Sequence, residues 1–155
     1  MKLPGLLTIS LLILLYSCRK DSFITSGEAR VNLSSDTLKF DTVFVSAGST
    51  FQRFTIKNEN DQRLRLSSLK LMGGTSSVYK MNVDGTSGTQ FSNLEIAAND
   101  SLFVFVQVNI NPNAANLPFV IRDSVEIVYN GKIKKVQLEA WGRNAPVSVA
   151  YARGT

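Results

Sequence analysis

Short runs of alternating apolar and polar residues, broken by turn residues, make up most of the chain from Arg30 onward. In one run, the apolar residues Tyr79, Met81 and Val83 occupy every second position. This alternation is typical of a β-strand that is buried on one face. Turn clusters such as residues 58–61, NEND, recur at roughly the 8- to 12-residue spacing of all-β sandwiches. The pattern therefore predicts an all-β sandwich of about eight short strands, with no helix after residue 17.

Residues 102–108, LFVFVQV, form the most apolar run of this part of the chain. Because apolar residues occupy both sides of its alternation, we expect a central strand that is buried on both faces. This interpretation places Phe103 and Phe105 in the core, so a charged residue in place of either should unfold the domain. Asn130-Gly131 predicts a two-residue hairpin, since both residues tolerate the positive φ that such a turn requires.

Two other segments carry weaker local signals. The apolar residues of the strand at residues 64–71 change sides at Ser67-Ser68, which predicts a β-bulge there. Residues 84–90, DGTSGTQ, are polar and rich in glycine, which predicts a loop.

An apolar run near the start of the chain leads to its one cysteine. Lys2 supplies a positive charge, and the 11 residues at 6–16 are largely apolar. A bilayer core needs about 20 such residues, so this run suits a cleaved signal peptide better than a membrane span. Leu15-Tyr16-Ser17-Cys18 resembles the bacterial lipobox, in which the cysteine thiol receives a diacylglyceryl group.

The lipobox resemblance divides the start of the chain into two parts. Residues 1–17 are predicted to be the signal peptide, and residues 18–29 a lipidated Cys18 followed by a tether. Acyl chains on Cys18 would hold the protein to a membrane. Arg19 follows where enteric inner-membrane lipoproteins have aspartate, which favours the outer membrane, on its periplasmic face or at the cell surface. The alternative is a free cysteine in an ordinary secreted protein.

The formal charge of +5 raises the question of nucleic-acid binding, which depends on Lys and Arg. The basic residues are scattered among acidic ones, and the densest group is Lys132, Lys134 and Lys135. On a strand next to a turn, these lysines are typical of a solvated surface that discourages edge-to-edge pairing. We therefore expect no nucleic-acid partner.

The ordered pattern across residues 36–142 resembles an immunoglobulin-like domain of the abnormal-spindle/SPD-2/hydin type, at the N-terminus of Bacteroidota lipoproteins. This resemblance implies an immunoglobulin-like antiparallel β-sandwich of about seven to nine strands at residues 30–144. In such lipoproteins a right-handed parallel β-helix often follows, so residues 145–155 are expected to be a tail or a truncated linker. The matching pieces are Leu38-x-Phe40-Asp41-Thr42-Val43, Phe54-x-Ile56-x-Asn58, Leu64-x-Leu66, Ile96-Ala97-x-Asn99-Asp100-Ser101, Val104-x-Val106-x-Val108 and Val136-x-Leu138-x-Ala140-Trp141-Gly142.

Catalytic and metal-binding motifs are weak. The chain has no histidine, which excludes a Ser-His-Asp triad. Ser67-x-x-Lys70 matches one motif of penicillin-interacting enzymes, but it falls in a strand and lacks the partner motifs. Asn82-x-Asp84-Gly85 has too few oxygen ligands for a calcium loop and reads as a turn. We expect no enzymatic activity, no metal and no cofactor.

Four tripeptides consist of an aspartate, a hydroxyl-bearing residue and an apolar residue, in that order. They resemble the O-glycosylation sequon of Bacteroidota extracytoplasmic proteins, which makes their hydroxyl residues candidate modification sites. The alternative is that each one marks a turn followed by the start of a strand. The candidate hydroxyl residues are Thr37, Thr42, Ser101 and Ser124.

The leading functional hypothesis is an outer-membrane lipoprotein whose immunoglobulin-like domain is a non-catalytic spacer or interaction module. Its partners would be the membrane, through Cys18, and an unknown protein or glycan. A glycan-binding envelope protein is one alternative, for which Tyr79, Phe91 and Phe119 are the candidate aromatic residues. The N-terminal fragment of a larger β-helix surface protein is the other.

Overall fold

The computed structural model describes residues 22–44, 51–109 and 120–143 of the chain, with side chains not described at residues 41–44 and 142–143. Ten strands in these residues form two five-stranded sheets. Sheet I contains, in spatial order, β1 (Val31–Leu33), β3 (Phe51–Asn58), β8 (Ser101–Val108), β5 (Tyr79–Val83) and β6 (Thr86–Gly88). Sheet II contains, in spatial order, β2 (Thr37–Phe44), β10 (Lys132–Arg143), β9 (Val120–Tyr129), β4 (Leu64–Leu71) and β7 (Gln90–Ile96).

The strands pair antiparallel in both sheets, apart from the parallel pair of β2 and β10. The chain therefore folds as an immunoglobulin-like β-sandwich, which confirms the predicted fold class. The strand count exceeds the expected seven to nine because the three-residue β6 lies in a segment that was predicted to be a loop. The described residues contain a single 3-10 turn, Gly74–Ser76. No helix in the described part of the chain is long and apolar enough to cross a membrane.

The core lies between the two sheets and consists of the inward row of each strand. On β5, Tyr79, Met81 and Val83 are buried and the residues between them are not, as the alternation predicts. Leu138 on β10 contributes to the same core from sheet II. The largest fully buried side chains are Tyr79, Tyr129, Phe40, Phe54, Ile56, Leu64, Leu66, Leu69, Met81, Ile127, Leu138 and Val83.

Two hairpins show how local turn chemistry sets register. Asn130 and Gly131 have φ of 44° and 73°, which confirms the predicted two-residue turn between β9 and β10. Asp84 and Gly85, with φ of 48° and 79°, form a second such turn. It pairs β6 with β5, so the predicted loop at residues 84–90 is wrong. The short polar β6 carries no apolar residue that could have revealed it.

The face change on β4 is confirmed, but its cause differs from the predicted bulge. Leu66 lies opposite Leu94 and Ser68 lies opposite Ser92, so β4 and β7 stay in the same register on both sides of the change. Asn93 has a φ of 54°, which shows that β7 is distorted at the same place. A bulge would set two residues against one. Here both strands change face together.

Candidate interaction surface

The outward side of sheet I is apolar and cationic, and we call the outward surface of β3, β8 and β5 the aromatic face. Phe51, Phe103 and Phe105 are 63%, 47% and 39% exposed on it. Arg53 lies among them, opposite Phe105 in the β3–β8 pairing. Its guanidinium carbon lies 5.9 Å from the centre of the Phe103 ring, within the range of a cation–π contact.

The aromatic face overturns the prediction that Phe103 and Phe105 belong to the core. β8 is the middle strand of sheet I, as predicted, but only one of its faces is buried. Val104 and Val106 are fully buried, and the phenylalanines alternate with them on the opposite side. No third layer of described residues covers that side. The strand and its central position were therefore predicted correctly, and the burial of its outward row was predicted wrongly.

A shallow cavity of about 360 Å³ lies at one end of the aromatic face. Arg53, Phe103 and Phe105 form one side of it, and Asp84 in the β5–β6 turn and Ser101 at the start of β8 add polar groups. The cavity thus places aromatic rings, a cation, a carboxylate and a hydroxyl within reach of one small ligand group.

The outward side of sheet II differs from the aromatic face because it carries acids that are paired with cations. Lys70 Nζ lies 3.1 Å and Lys135 Nζ 3.6 Å from carboxylate oxygens of Glu126. The hydrogen bond from Lys70 holds the pKa of Glu126 below its ordinary value, and the charges of both lysines act in the same direction. Arg122 pairs with Glu139 in the same way, at 3.1 Å.

Asp123 and Ser77 look like reactive groups, but their hydrogen bonds are structural. The Asp123 carboxylate accepts hydrogen bonds from the Gly73 and Ser124 backbone N–H groups and, at 2.5 Å, from the Ser77 hydroxyl. The buried Tyr79 hydroxyl beside them donates to the Ile121 carbonyl at 2.8 Å. Burial raises the pKa of the Tyr79 phenol, and the charge of Asp123 raises it further. This cluster joins the turn before β5 to β9.

The weak motifs found in the sequence occupy ordinary strand and turn positions. Ser67 lies in β4 and donates its hydroxyl hydrogen to the Val128 carbonyl at 3.0 Å, while Lys70 pairs with Glu126. Asp84 lies in a hairpin turn, as expected. The described residues contain no group of three or more His, Cys, Asp or Glu side chains placed to hold a metal ion.

The candidate glycosylation residues do not share one structural setting. Thr37 and Ser101 are the first residues of β2 and β8, and both are half-buried, which fits the turn-then-strand alternative. Ser124 lies inside β9, where its carbonyl accepts a hydrogen bond from the Met72 N–H. Thr42 lies in β2, and its side chain is outside the described residues, as is all of Cys18.

Of the three aromatic residues proposed for glycan contact, the two that the structure describes do not form a surface. Tyr79 is buried in the core, where its ring centre lies 5.5 Å from that of Phe40. Phe91 is half-buried on β7 and packs beside Gly88. Phe119 lies outside the described residues. Phe alternates with Val in β8, but both residue types are apolar, so the sequence carries no signal that shows which row is exposed.

The segment before β1 lies against one end of the sandwich. The Ile24 N–H donates to the Arg63 carbonyl at 2.8 Å, and the Asn130 side-chain amide donates to the Ile24 and Ser26 carbonyls. The Arg65 guanidinium carbon lies 4.1 Å from the centre of the Phe23 ring. Residues 22–29, expected to belong to a tether, are thus held by the sheet II side of the domain.

Comparison with known proteins identifies the fold and no family. No protein-family model matches the chain, and no curated protein matches it. Its structure is similar to that of a protein of unknown function from Porphyromonas gingivalis W83, at a TM-score of 0.57 and 16% identity over 81% of this chain and 50% of that one. It is also similar to a family 123 glycoside hydrolase from Clostridium perfringens, at a TM-score of 0.53 and 12% identity over 76% of this chain and 28% of the hydrolase.

Likeness extends to an ASH/PapD-like domain of human CEP192, at a TM-score of 0.46 and 10% identity over 83% of this chain and 94% of that domain. This chain spans half or less of the length of the Porphyromonas and Clostridium structures. At these identities, the likeness to those two shows a shared fold alone.

Proposed function

We propose that this protein is an envelope lipoprotein, anchored through acyl chains on Cys18, whose immunoglobulin-like domain is a non-catalytic interaction module. The working surface is the aromatic face. Within this proposal, the Bacteroidota origin rests on the sequence resemblance, and the outer-membrane location rests on Arg19 after Cys18.

The observation that carries the interaction role is the exposure of three phenylalanines on one side of sheet I. Single exposed apolar residues are common, but a contiguous group of large ones marks interaction sites. Phe103 and Phe105 are two residues apart on β8, and Phe51 lies opposite Gln107 on the next strand. The three rings therefore form one patch.

The segment before β1 indicates which end of the sandwich the proposed anchor would lie near. Ser22 is the first described residue, and its hydroxyl accepts a hydrogen bond from the Gln62 side-chain amide at 2.8 Å. Cys18 precedes Ser22 by four positions in the sequence, and such a stretch spans at most about 14 Å. A lipid on Cys18 would therefore keep this end of the sandwich near the membrane surface.

Site-specific photo-crosslinking tests the interaction role. A photoreactive phenylalanine analogue replaces Phe105 in the native envelope, and Ile133, 60% exposed on sheet II, is the matched control position. We expect a discrete adduct from position 105 that is absent from position 133. Equal labelling from both positions, or no adduct from position 105, would refute this use of the face.

Intact mass measured on protein from the native membrane tests the anchor. We expect the mass of the chain from Cys18 onward plus acyl chains, and a shift of the Cys18→Ser variant to the soluble fraction. An unmodified Cys18 would exclude the anchor without affecting the crosslinking result.

The glycan-binding alternative gains support from the aromatic face, since flat exposed rings stack on sugar rings. The residues that would carry it are Phe103 and Phe105, in place of Tyr79 and Phe91. The alternative of a fragment of a larger β-helix protein is tested by the same mass measurement, because a longer polypeptide would be heavier.

A further inference from the structure

The aromatic face combines its rings with cations and has no acid among the outward residues of its strands. Arg53, Lys57 and Lys80 supply three positive charges, and none of them makes an ion pair with another described residue. The outward residues in strand order are Phe51, Arg53, Thr55 and Lys57 on β3, Ser101, Phe103, Phe105 and Gln107 on β8, and Lys80 and Asn82 on β5.

Sheet I differs from sheet II in that no acid lies beside its outward cations on the strands themselves. On sheet II, Glu126 and Glu139 neutralise neighbouring cations. On sheet I the cations have no such partner within the described chain, and they lie at both ends and in the middle of the ring patch. The complement to this face is therefore a ligand that carries several negative charges and offers apolar surfaces between them.

The size of the face favours a linear ligand over a folded protein. Three strands about 4.8 Å apart, with eight residues on the longest, cover roughly 400 Å². A standard protein–protein interface takes about 800 Å² from each partner.

The position of residues 22–29, the segment before β1, argues against a membrane as the ligand of the aromatic face. Phe23 contacts Arg65 on sheet II, whereas the aromatic face is on sheet I. Packed sheets lie about 10 Å apart, so Phe23 lies on the side of the sandwich away from the aromatic face.

We propose that the aromatic face binds an acidic polysaccharide, a polymer of sugar rings that bear carboxylates. The apolar faces of the sugar rings stack on Phe103, Phe105 and Phe51. Arg53, Lys57 and Lys80 pair with the carboxylates, and Arg53 is suited to a bidentate contact. The Asp84 carboxylate in the cavity accepts hydrogen bonds from sugar hydroxyls. This inference rests on the proposed interaction role of the face and is independent of the lipid on Cys18.

The test is a binding titration of the full chain in detergent with polygalacturonate, alginate and hyaluronate. Methyl-esterified polygalacturonate is the matched neutral ligand. We expect at least one acidic polymer to bind. Its affinity should fall at least tenfold when its carboxylates are methyl-esterified, and also when the salt concentration is raised to about 0.5 M. Phe105→Ser and Arg53→Gln should each weaken binding at least tenfold.

Two variants on sheet II serve as controls. Ile133→Ser removes an exposed apolar side chain and Arg122→Gln an exposed cation, so both should bind within twofold of the unsubstituted protein. Melting curves of all four variants confirm that they fold.

Three outcomes would overturn the inference: no binding to any acidic polymer, equal binding of the esterified form, or binding unaffected by Phe105→Ser. Tighter binding of anionic vesicles or of a single-stranded oligonucleotide through Phe105 and Arg53 would also overturn it. A protein adduct in the crosslinking experiment without polysaccharide binding would leave the interaction role standing and exclude this ligand class.

Discussion

Replacement of Asn58 by aspartate should destabilise the domain strongly although it changes one atom of the side chain. Asn58 is fully buried at the end of β3. Its amide nitrogen donates to the carbonyls of Gln62, Ile96 and Ala97 at 2.8, 3.2 and 2.8 Å. Its side-chain oxygen accepts hydrogen bonds from the backbone and side-chain N–H groups of Asn60. One side chain therefore joins two turns at this end of the sandwich.

The magnitude follows from these contacts. Asn58→Asp removes the donor and places a carboxylate oxygen about 3 Å from three carbonyl oxygens. The three carbonyls that lose their donor cost roughly 1 kcal/mol each, and burial of a charge that keeps its two hydrogen bonds from Asn60 costs about 1 kcal/mol more. We expect the free energy of unfolding to fall by about 4 kcal/mol at pH 7, a large share of the 5–15 kcal/mol typical of a domain. The melting temperature should fall by roughly 12–20 °C.

The pH dependence separates this cause from simple misfolding. Burial beside carbonyl oxygens raises the pKa of the introduced carboxyl above the ~3.9 of an unfolded chain. The protonated form is neutral and donates one hydrogen bond. The loss of stability in Asn58→Asp should therefore be greatest at neutral pH. It should become smaller as the pH falls through the raised pKa towards about 4.

Thermal melts followed by circular dichroism between pH 4 and pH 8 provide the measurement. Asn109→Asp, at an exposed position directly after β8, makes the same chemical change and should alter stability by less than about 0.5 kcal/mol. A melting temperature of Asn58→Asp within about 3 °C of the unsubstituted protein at pH 7, or a deficit that grows on acidification, would refute the reasoning.

Three further predictions use the same thermal melts. Phe105→Asp should stay soluble and melt cooperatively, whereas Val106→Asp, on the opposite side of β8, should not fold. If both variants were unfolded, Phe105 would have to be a core residue after all. Glu126→Gln should have a lower melting temperature than the unsubstituted protein at pH 7 and the same one at low pH. The lowered pKa of Glu126 contributes stability that is lost as the pH falls below the ordinary glutamate value of about 4.3. A difference in melting temperature that does not change with pH would contradict this. Tyr79→Phe should cost about 1 kcal/mol below pH 9 through its lost hydrogen bond. Above pH 10 this difference in stability should shrink. Tyr79 has a raised pKa in the folded protein, so its phenol ionises first in the unfolded chain, which lowers the stability of the unsubstituted protein but not that of Tyr79→Phe. A difference that stays constant with pH would contradict this.

Local sequence patterns predicted much of the fold, because the determinants of single strands and turns are local. The alternation of Tyr79, Met81 and Val83 identified β5 and its buried face. Asn130-Gly131 identified the β9–β10 turn through its tolerance of positive φ. The lipobox resemblance at Cys18 is also local, and its test lies in the mass of the native protein.

Long-range contacts explain what the sequence did not predict. The buried amide of Asn58 was part of a matched motif, but its three acceptors lie 4, 38 and 39 residues away, so its role depends on how the turns meet. β2 and β10 pair in parallel although they are far apart in the sequence, so no local pattern predicts this pairing either.

The aromatic face separates the two kinds of information most clearly. The sequence by itself determined that residues 102–108 form a strand with apolar residues on both sides, because side-chain direction alternates along any extended chain. Only the tertiary structure decided which row is buried. Sheet II packs against Val104 and Val106, and no described layer covers the other side, so Phe103 and Phe105 are left on the surface. Apolar character indicates what a residue gains on burial, whereas burial itself depends on the number of layers that the whole chain provides.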